Sequence, residues 1–246
     1  MKSEQPITAQ ITATDISMSF EEKLLFTVPK LRFAQGDVIY LQGDNGTGKS
    51  TLMKLLAGFM KPSSGTISSQ GFTKDAWWKK ASLLGKAVYL HQHPYLFDGS
   101  VKYNLEYAAS SCTLPQEELQ QRITKAIDMA QLGHLLKSNA SDLSGGERQR
   151  LAVARVWITR PKLLMLDEPI SNMDKQSQKL VLAMINQLKQ EGTGLLISSH
   201  QTCGLTALCQ QHWHISHNRI QLSDHVPHSS HRQQPIHSEL QYVSAN

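Results

Sequence analysis

Three short clusters in this 246-residue chain carry residue types suited to a phosphorylated ligand. The first is Gly43-Asp44-Asn45-Gly46-Thr47-Gly48-Lys49-Ser50-Thr51, in which Gly43, Gly48, Lys49 and Ser50 meet the spacing G-x-x-x-x-G-K-[ST]. Glycines at these positions let the backbone curl so that successive N–H groups point at phosphate oxygens, and a following helix adds its positive end. Lys49 is expected to reach the β- and γ-phosphates of a nucleotide, and Ser50 to place its hydroxyl on Mg²⁺. The second cluster, Asp167-Glu168-Pro169, follows the apolar run Leu163-Leu164-Met165-Leu166. Ligands gather at the C-terminal ends of strands in open α/β sheets, so Asp167 is suited to hold Mg²⁺ and Glu168 to take a proton from attacking water. In the third, Leu143-Ser144-Gly145-Gly146-Glu147-Arg148-Gln149-Arg150, the residues Ser144, Gly145 and Gly146 open a helix and offer N–H groups to an anion.

These clusters need elements to hold them. Residues 38–41 form an apolar strand before the glycine loop, and Leu52, Leu55 and Leu56 recur at helical spacing after it until Gly58 and Pro62. That order, strand, glycine loop and helix, is the context in which the motif has meaning. Residues 7–41 read as several short strands with brief connections. Residues 94–140 turn helical, with Leu119, Ile123, Ile127 and Ala130 spaced by three or four and Pro115 as a helix-start residue. Thereafter helix (about 145–158), buried strand (163–166), helix (about 175–190) and strand (195–198) alternate, which predicts a mainly parallel sheet covered by helices. After residue 222 the chain becomes polar, and seven of the 11 histidines lie between His212 and His237.

Composition narrows the function. With 40% hydrophobic residues the chain has material for a real core, and 25 basic against 20 acidic residues is not the dense positive field of a nucleic-acid binder. Cys112, Cys203 and Cys209 form no closed disulfide set, residues 1–13 do not read as a secretory leader, and no run reaches the roughly 20 apolar residues of a membrane span. A cytoplasmic protein that works at a membrane only through a partner is expected.

The third cluster resembles the signature motif of ATP-binding cassette (ABC) ATPases, and the resemblance runs from about residue 11 to 222 with each motif in the family's order. It implies a P-loop NTPase α/β core with a mainly parallel sheet, an antiparallel β-subdomain and a helical subdomain inserted at about 94–160, followed by a polar tail at 223–246. By this resemblance Gln92 matches the glutamine that touches Mg²⁺ within a segment contacting the transmembrane partner. Asp174 matches the D-loop aspartate, and His200 the histidine that contacts the γ-phosphate. Phe20 stands where the family usually has a tyrosine stacked on adenine; an aromatic face is kept, worth about 1–3 kcal/mol by analogy with base stacking. Asp44 and Thr47 are variations inside the glycine loop.

The resemblance further implies ATP and Mg²⁺ as cofactors. It implies a head-to-tail homodimer in which Ser144, Gly145 and Gly146 complete the neighbour's site, and attachment to the inner face of the cell membrane through separately encoded permease subunits. Import with a solute-binding protein is the organisation it suggests, and residues 89–107 are similar to subunits of tungstate or molybdate uptake. The competing class is a soluble cassette ATPase acting on nucleic acid or ribosomes. Its members generally carry two cassettes or a long coiled coil, both missing from this sequence, so no nucleic-acid partner is expected. The Cys/His set 203–217 has no common zinc spacing and reads as a late hairpin, Trp77-Trp78-Lys79-Lys80 as a surface loop, and Arg148, Arg150 and Arg155 as packing for the signature helix.

Overall fold

Two long strands, β1 (Gln10–Phe20) and β2 (Lys23–Ala34), open the fold where the sequence suggests several short ones. Their alternation is interrupted, which is why they read as fragments. Asp15 sits at φ 50°, and across it the buried face of β1 changes from Ile11 and Ala13 to Ile16 and Met18. Shifting by one residue turns side chains to the other face, so a kinked strand loses its period-2 pattern while keeping its ladder. A computed structural model of the chain describes residues 8–72, 82–199 and 204–224.

The remaining strands are β3 (Val38–Gly43), β4 (Ser64–Gln70), β5 (Val88–Leu90), β6 (Leu163–Asp167), β7 (Gly194–Ser198), β8 (Gln211–Ser216) and β9 (Arg219–Ser223). Among the described residues they form one sheet in the order β4-β1-β2-β9-β8-β3-β7-β6-β5. From β8 through β3, β7 and β6 to β5 every pairing is parallel, while β1–β2, β1–β4 and β8–β9 are antiparallel. The expected parallel core with an antiparallel β-subdomain is therefore present, in one mixed sheet. The β8–β9 hairpin turns at His217 and Asn218, both at positive φ (47° and 60°), the backbone of a two-residue hairpin whose twist matches its strands.

Five α-helices accompany the sheet among the described residues: α1 (Lys49–Leu56), α2 (Val101–Ser110), α3 (Gln116–Ala130), α4 (Gly145–Thr159) and α5 (Lys175–Gln190). The central strands are buried on both faces, which makes 163–167 continuously apolar up to its acid. Leu163 and Met165 join one core with α1 and the β1–β2 layer, whereas Leu164 and Leu166 join the other with α4 and α5. Helices α2, α3 and α4 fill the inserted subdomain, with Ile123, Ala126 and Ala130 of α3 on its inner face.

Arg122 closes this subdomain. It is 4% exposed, donates from Nε to the Ile158 carbonyl (3.0 Å) and from Nη2 to the Trp157 carbonyl (2.9 Å), and lies 4.6 Å over the Trp157 ring. It thus satisfies the last carbonyls of α4, which have no partner within the helix. Glu191 Oε2 stands 3.6 Å away. We expect Arg122→Ala to lose about 3 kcal/mol in urea unfolding, because buried carbonyls are orphaned and a buried charge-assisted set is removed. Arg160→Ala, which breaks a half-exposed pair with the same Glu191, should cost under about 1 kcal/mol.

Candidate functional site

Strand β3 delivers Gly43 to the edge of a loop that α1 closes. Gly46 and Gly48 both have positive φ (78° and 103°), and Gly48 is the N-cap of α1 without a side-chain cap. A Cβ at Gly48 would come within 2.9 Å of the Phe26 ring, and one at Gly43 within 2.9 Å of the Ile215 carbonyl, so the loop needs glycine here for space as well as for curvature. Lys49 is 6% exposed and donates to the carbonyls of Gly43 (2.7 Å) and Asp44 (3.1 Å), bracing the loop from within. Burial pulls its pKa below the ordinary lysine value, opposed by the nearby carboxylates Glu168, Asp167 and Asp44. The Thr47 hydroxyl donates to the Asp44 carbonyl (2.9 Å), and Asn45 and Gly46 complete an exposed rim. Ser50 and Thr51 follow in the first turn of α1.

The acidic pair ends β6, one strand beyond β7 from the loop. Asp167 is buried and accepts two hydroxyls, Ser198 Oγ on Oδ1 (2.6 Å) and Tyr89 on Oδ2 (2.8 Å). Tyr89 also lies beside Ser50, and burial together with Asp167 pushes its phenol far above the usual value. Glu168 leaves the strand at φ 48°, its backbone N–H donating to Ser198 Oγ (3.1 Å), and its Oε2 accepts from Gln92 Nε2 (3.1 Å). Ser171 Oγ caps the Glu168 carbonyl at 3.0 Å and lies 3.5 Å from Gln92 Nε2. The loop, Ser50, Asp167, Glu168 and Gln92 therefore converge. Hydroxyl, carboxylate and amide oxygens are the hard donor set that Mg²⁺ prefers, and a carboxylate at the end of a strand, beside a lysine and a ring of N–H groups, suits hydrolysis of a phosphoanhydride.

Not every expected residue joins that centre. Phe20 pairs with Lys23 at the β1–β2 turn and is 49% exposed; the adjoining Lys23, Leu24 and Leu25 line a cleft of about 200 Å³ together with Asn45, Gly46, Thr47 and the 215–218 turn. The hairpin thus stands beside the phosphate loop, with Phe20 at its exposed tip. His200 lies outside the described residues, as do Cys203, Trp77-Trp78-Lys79-Lys80 and the tail from residue 225.

Ser144, Gly145, Gly146 and Asp174 form a second location. Ser144 is the N-cap of α4 in a capping box: its N–H (2.8 Å) and hydroxyl (2.7 Å) both donate to Glu147 Oε2, holding that carboxyl below its ordinary pKa. Asp174 caps α5 by accepting from Gln176 and Ser177 N–H (both 2.9 Å), which lowers its pKa likewise. Ser144, Glu147, Asp174 and Ser177 line a cleft of about 690 Å³ that shares no residue with the one beside the phosphate loop. Arg148 and Arg150 donate to the carbonyls of Ala140 and Ala130, and Arg155 to that of Tyr95, so all three pack against their own chain. Of the Cys/His set, His212 and His214 lie in β8 and His217 in the turn to β9, the late hairpin expected.

Sequence reasoning missed Tyr89 and Ser198, whose hydroxyls reach Asp167 only when β5, β6 and β7 align, and Ser171, which donates to the Glu168 carbonyl.

A phosphate loop after β3 with two carboxylates at the C-terminal end of β6 defines a nucleotide-binding α/β ATPase. A family model described as ABC transporter matches residues 26–171, and the chain belongs to that family as an ATP-binding cassette ATPase domain. It is 31% identical over 195 residues to the energy-coupling factor transporter ATP-binding protein EcfA1 of Thermotoga maritima, covering 78% of this chain and 73% of the relative. It is 35% identical over 167 residues to the lipoprotein-releasing system ATP-binding protein LolD of Hydrogenovibrio crunogenus, covering 66% and 73%. A lactococcin transport/processing ATP-binding protein of Lactococcus lactis is 40% identical over 170 residues, which are 66% of this chain but 23% of that protein, so the chain spans about a quarter of that relative. A solved structure of an ATP binding subunit of an ABC transporter superposes with a TM-score of 0.76 at 23% identity, over 87% of this chain and 89% of that one, a likeness of fold.

Proposed function

We propose that the chain hydrolyses ATP with Mg²⁺ and energises solute transport through a separate membrane permease. Ser50, Asp167 and the Gln92 amide oxygen hold the cation, which neutralises phosphate charge when bound. Gly43 to Thr51 wrap the phosphates, Phe20 stacks on the base, Glu168 removes the proton of the attacking water, and His200 contacts the γ-phosphate. Ser144, Gly145, Gly146 and Asp174 complete the site of a second copy. The alternative, a cassette acting on nucleic acid or ribosomes, gains no support from Arg148, Arg150 and Arg155, which donate to backbone carbonyls of their own chain.

The observation that carries the transport reading is the neighbourhood of Gln92. Its side chain holds Glu168, while His91 and Pro94 on either side line a groove of about 790 Å³ walled by Phe59, Tyr95, Tyr107, Ala152 and Val156. Such a groove fits the apolar face of a short helix, and a cytoplasmic helix of the permease is the occupant that would link docking to Glu168. No helix among the described residues is long and apolar enough to cross a membrane. Import, with a solute-binding protein and an oxyanion such as tungstate or molybdate as cargo, is supported by the resemblance of residues 89–107. The test is co-reconstitution in liposomes with the permease encoded nearest the gene. ATP-dependent accumulation of tungstate or molybdate is the expected result, and Tyr95→Asp, on the exposed groove wall, should abolish permease binding while ATP binding persists. ATP turnover with neither solute movement nor permease binding would overturn the transport reading.

A further inference from the structure

Tyr89 touches two surfaces at once. Its hydroxyl donates to Asp167 Oδ2 at 2.8 Å and lies beside Ser50. Its ring lines the apolar groove, 6.2 Å from the ring of Phe59 and 5.4 Å, edge-on, from that of His91. Phe59 is 61% exposed on this wall, with no polar atom to offer the carboxylate.

The sheet explains the arrangement. β6 lies between β5 and β7, with Tyr89 in register with Met165 and Ser198 with Asp167, so the terminal acid receives one hydroxyl from each neighbouring strand. Both carboxylate oxygens are thereby oriented, and each keeps a lone pair for a cation. We infer that Tyr89 is a positioning residue that aims Asp167 at the Ser50 hydroxyl and carries displacements of the groove wall to that carboxylate. Gln92 connects the groove with Glu168, the proton acceptor; Tyr89 connects it with the cation side. This rests on the reading of Ser50 and Asp167 as holders of Mg²⁺. An outer hydrogen-bond partner of a metal ligand acts by fixing the ligand's direction, and its loss weakens the metal more than the fold.

The experiment titrates Mg²⁺ into the full chain at fixed fluorescent ADP analogue and follows the analogue's signal, with no turnover involved. Tyr89→Phe keeps the ring in the groove and removes only the hydroxyl. It should weaken Mg²⁺ about tenfold, the low end for loss of such a partner, while binding of the analogue in EDTA stays at the wild-type value. Phe59→Ala should shift the Mg²⁺ midpoint about threefold in the wild-type background and leave it unmoved in the Y89F background, because the hydroxyl is the link between wall and carboxylate. A Y89F titration that overlays the wild type, or a Phe59→Ala shift of equal size in both backgrounds, overturns the inference. Asp167→Asn separates the two levels: if it leaves the Mg²⁺ dependence intact, the cation reading itself fails, and if it abolishes the dependence while Y89F does not alter it, only the role of Tyr89 fails. Should Y89F not fold, Tyr89→Met is titrated in the same way.

Discussion

Glu168→Gln is expected to retain ATP and lose hydrolysis by a factor of about 10²–10⁴, the range that general-base catalysis supplies. The substitution is nearly isosteric, and an amide oxygen at the same place still accepts from Gln92 Nε2, now 3.1 Å from Glu168 Oε2. The turn should survive as well, since its backbone is held by Ser198 Oγ on the 168 N–H and by Ser171 on the 168 carbonyl. What disappears is the proposed proton acceptor. Binding should tighten, because one negative charge is removed beside a polyphosphate, and if the proposed dimer opens only on hydrolysis, its ATP-bound form should persist. Phosphate release, equilibrium dialysis with ATP and size-exclusion chromatography in ATP and Mg²⁺ read the three consequences separately. A variant that keeps more than about a tenth of wild-type turnover would remove Glu168 from the role of base, since a lost general base costs at least about 10².

Mixing two inactive variants should restore activity, the second large effect. Lys49→Ala disables the phosphate loop, and Ser144→Arg fills the entrance to the cleft at the N-terminus of α4. In a two-fold dimer built from both, one site would hold an intact loop and an intact signature while the other holds neither, so random mixing returns at most about a quarter of wild-type turnover. The geometry motivates this pairing. Within one chain the exposed Ser144 lines one cleft with Asp174 and Ser177, which Gly146 also faces, and that cleft has no residue in common with the one beside the phosphate loop. Ser144 meanwhile satisfies Glu147 of its own helix, so an incoming phosphate would have to compete with that capping box for the hydroxyl. Ser144→Arg alone should therefore bind nucleotide as well as wild type. Turnover that stays absent in the mixture would mean that Ser144 and Lys49 serve one and the same chain.

The loop, the acidic strand end and the glycine pair opening α4 were readable because each is local. Their spacing along the chain is set by one turn or one helix start, and the helices at 145–159 and 175–190 and the strands at 163–167 and 194–198 follow from apolar runs long enough to speak for themselves. β1 and β2 were less readable, since at Asp15 a left-handed residue moves the buried face from one parity to the other and periodicity alone reports fragments.

Residue type and order thus determined the chemistry on offer: a loop for phosphate, an acid for a cation, an acid for a proton. Tertiary structure decided what supports it. Tyr89 and Ser198 stand 78 and 31 residues from Asp167, and Gln92 stands 76 from Glu168, distances along the chain at which no local pattern signals a contact. They meet because three parallel strands end at one level, an alignment fixed by burial of both sheet faces. Likewise Arg122, an ordinary surface-helix residue by its neighbours in sequence, becomes the closing member of the helical subdomain only because α4 ends against it. Hydrogen bonds between strands follow register, and register is set by the packing of the whole sheet.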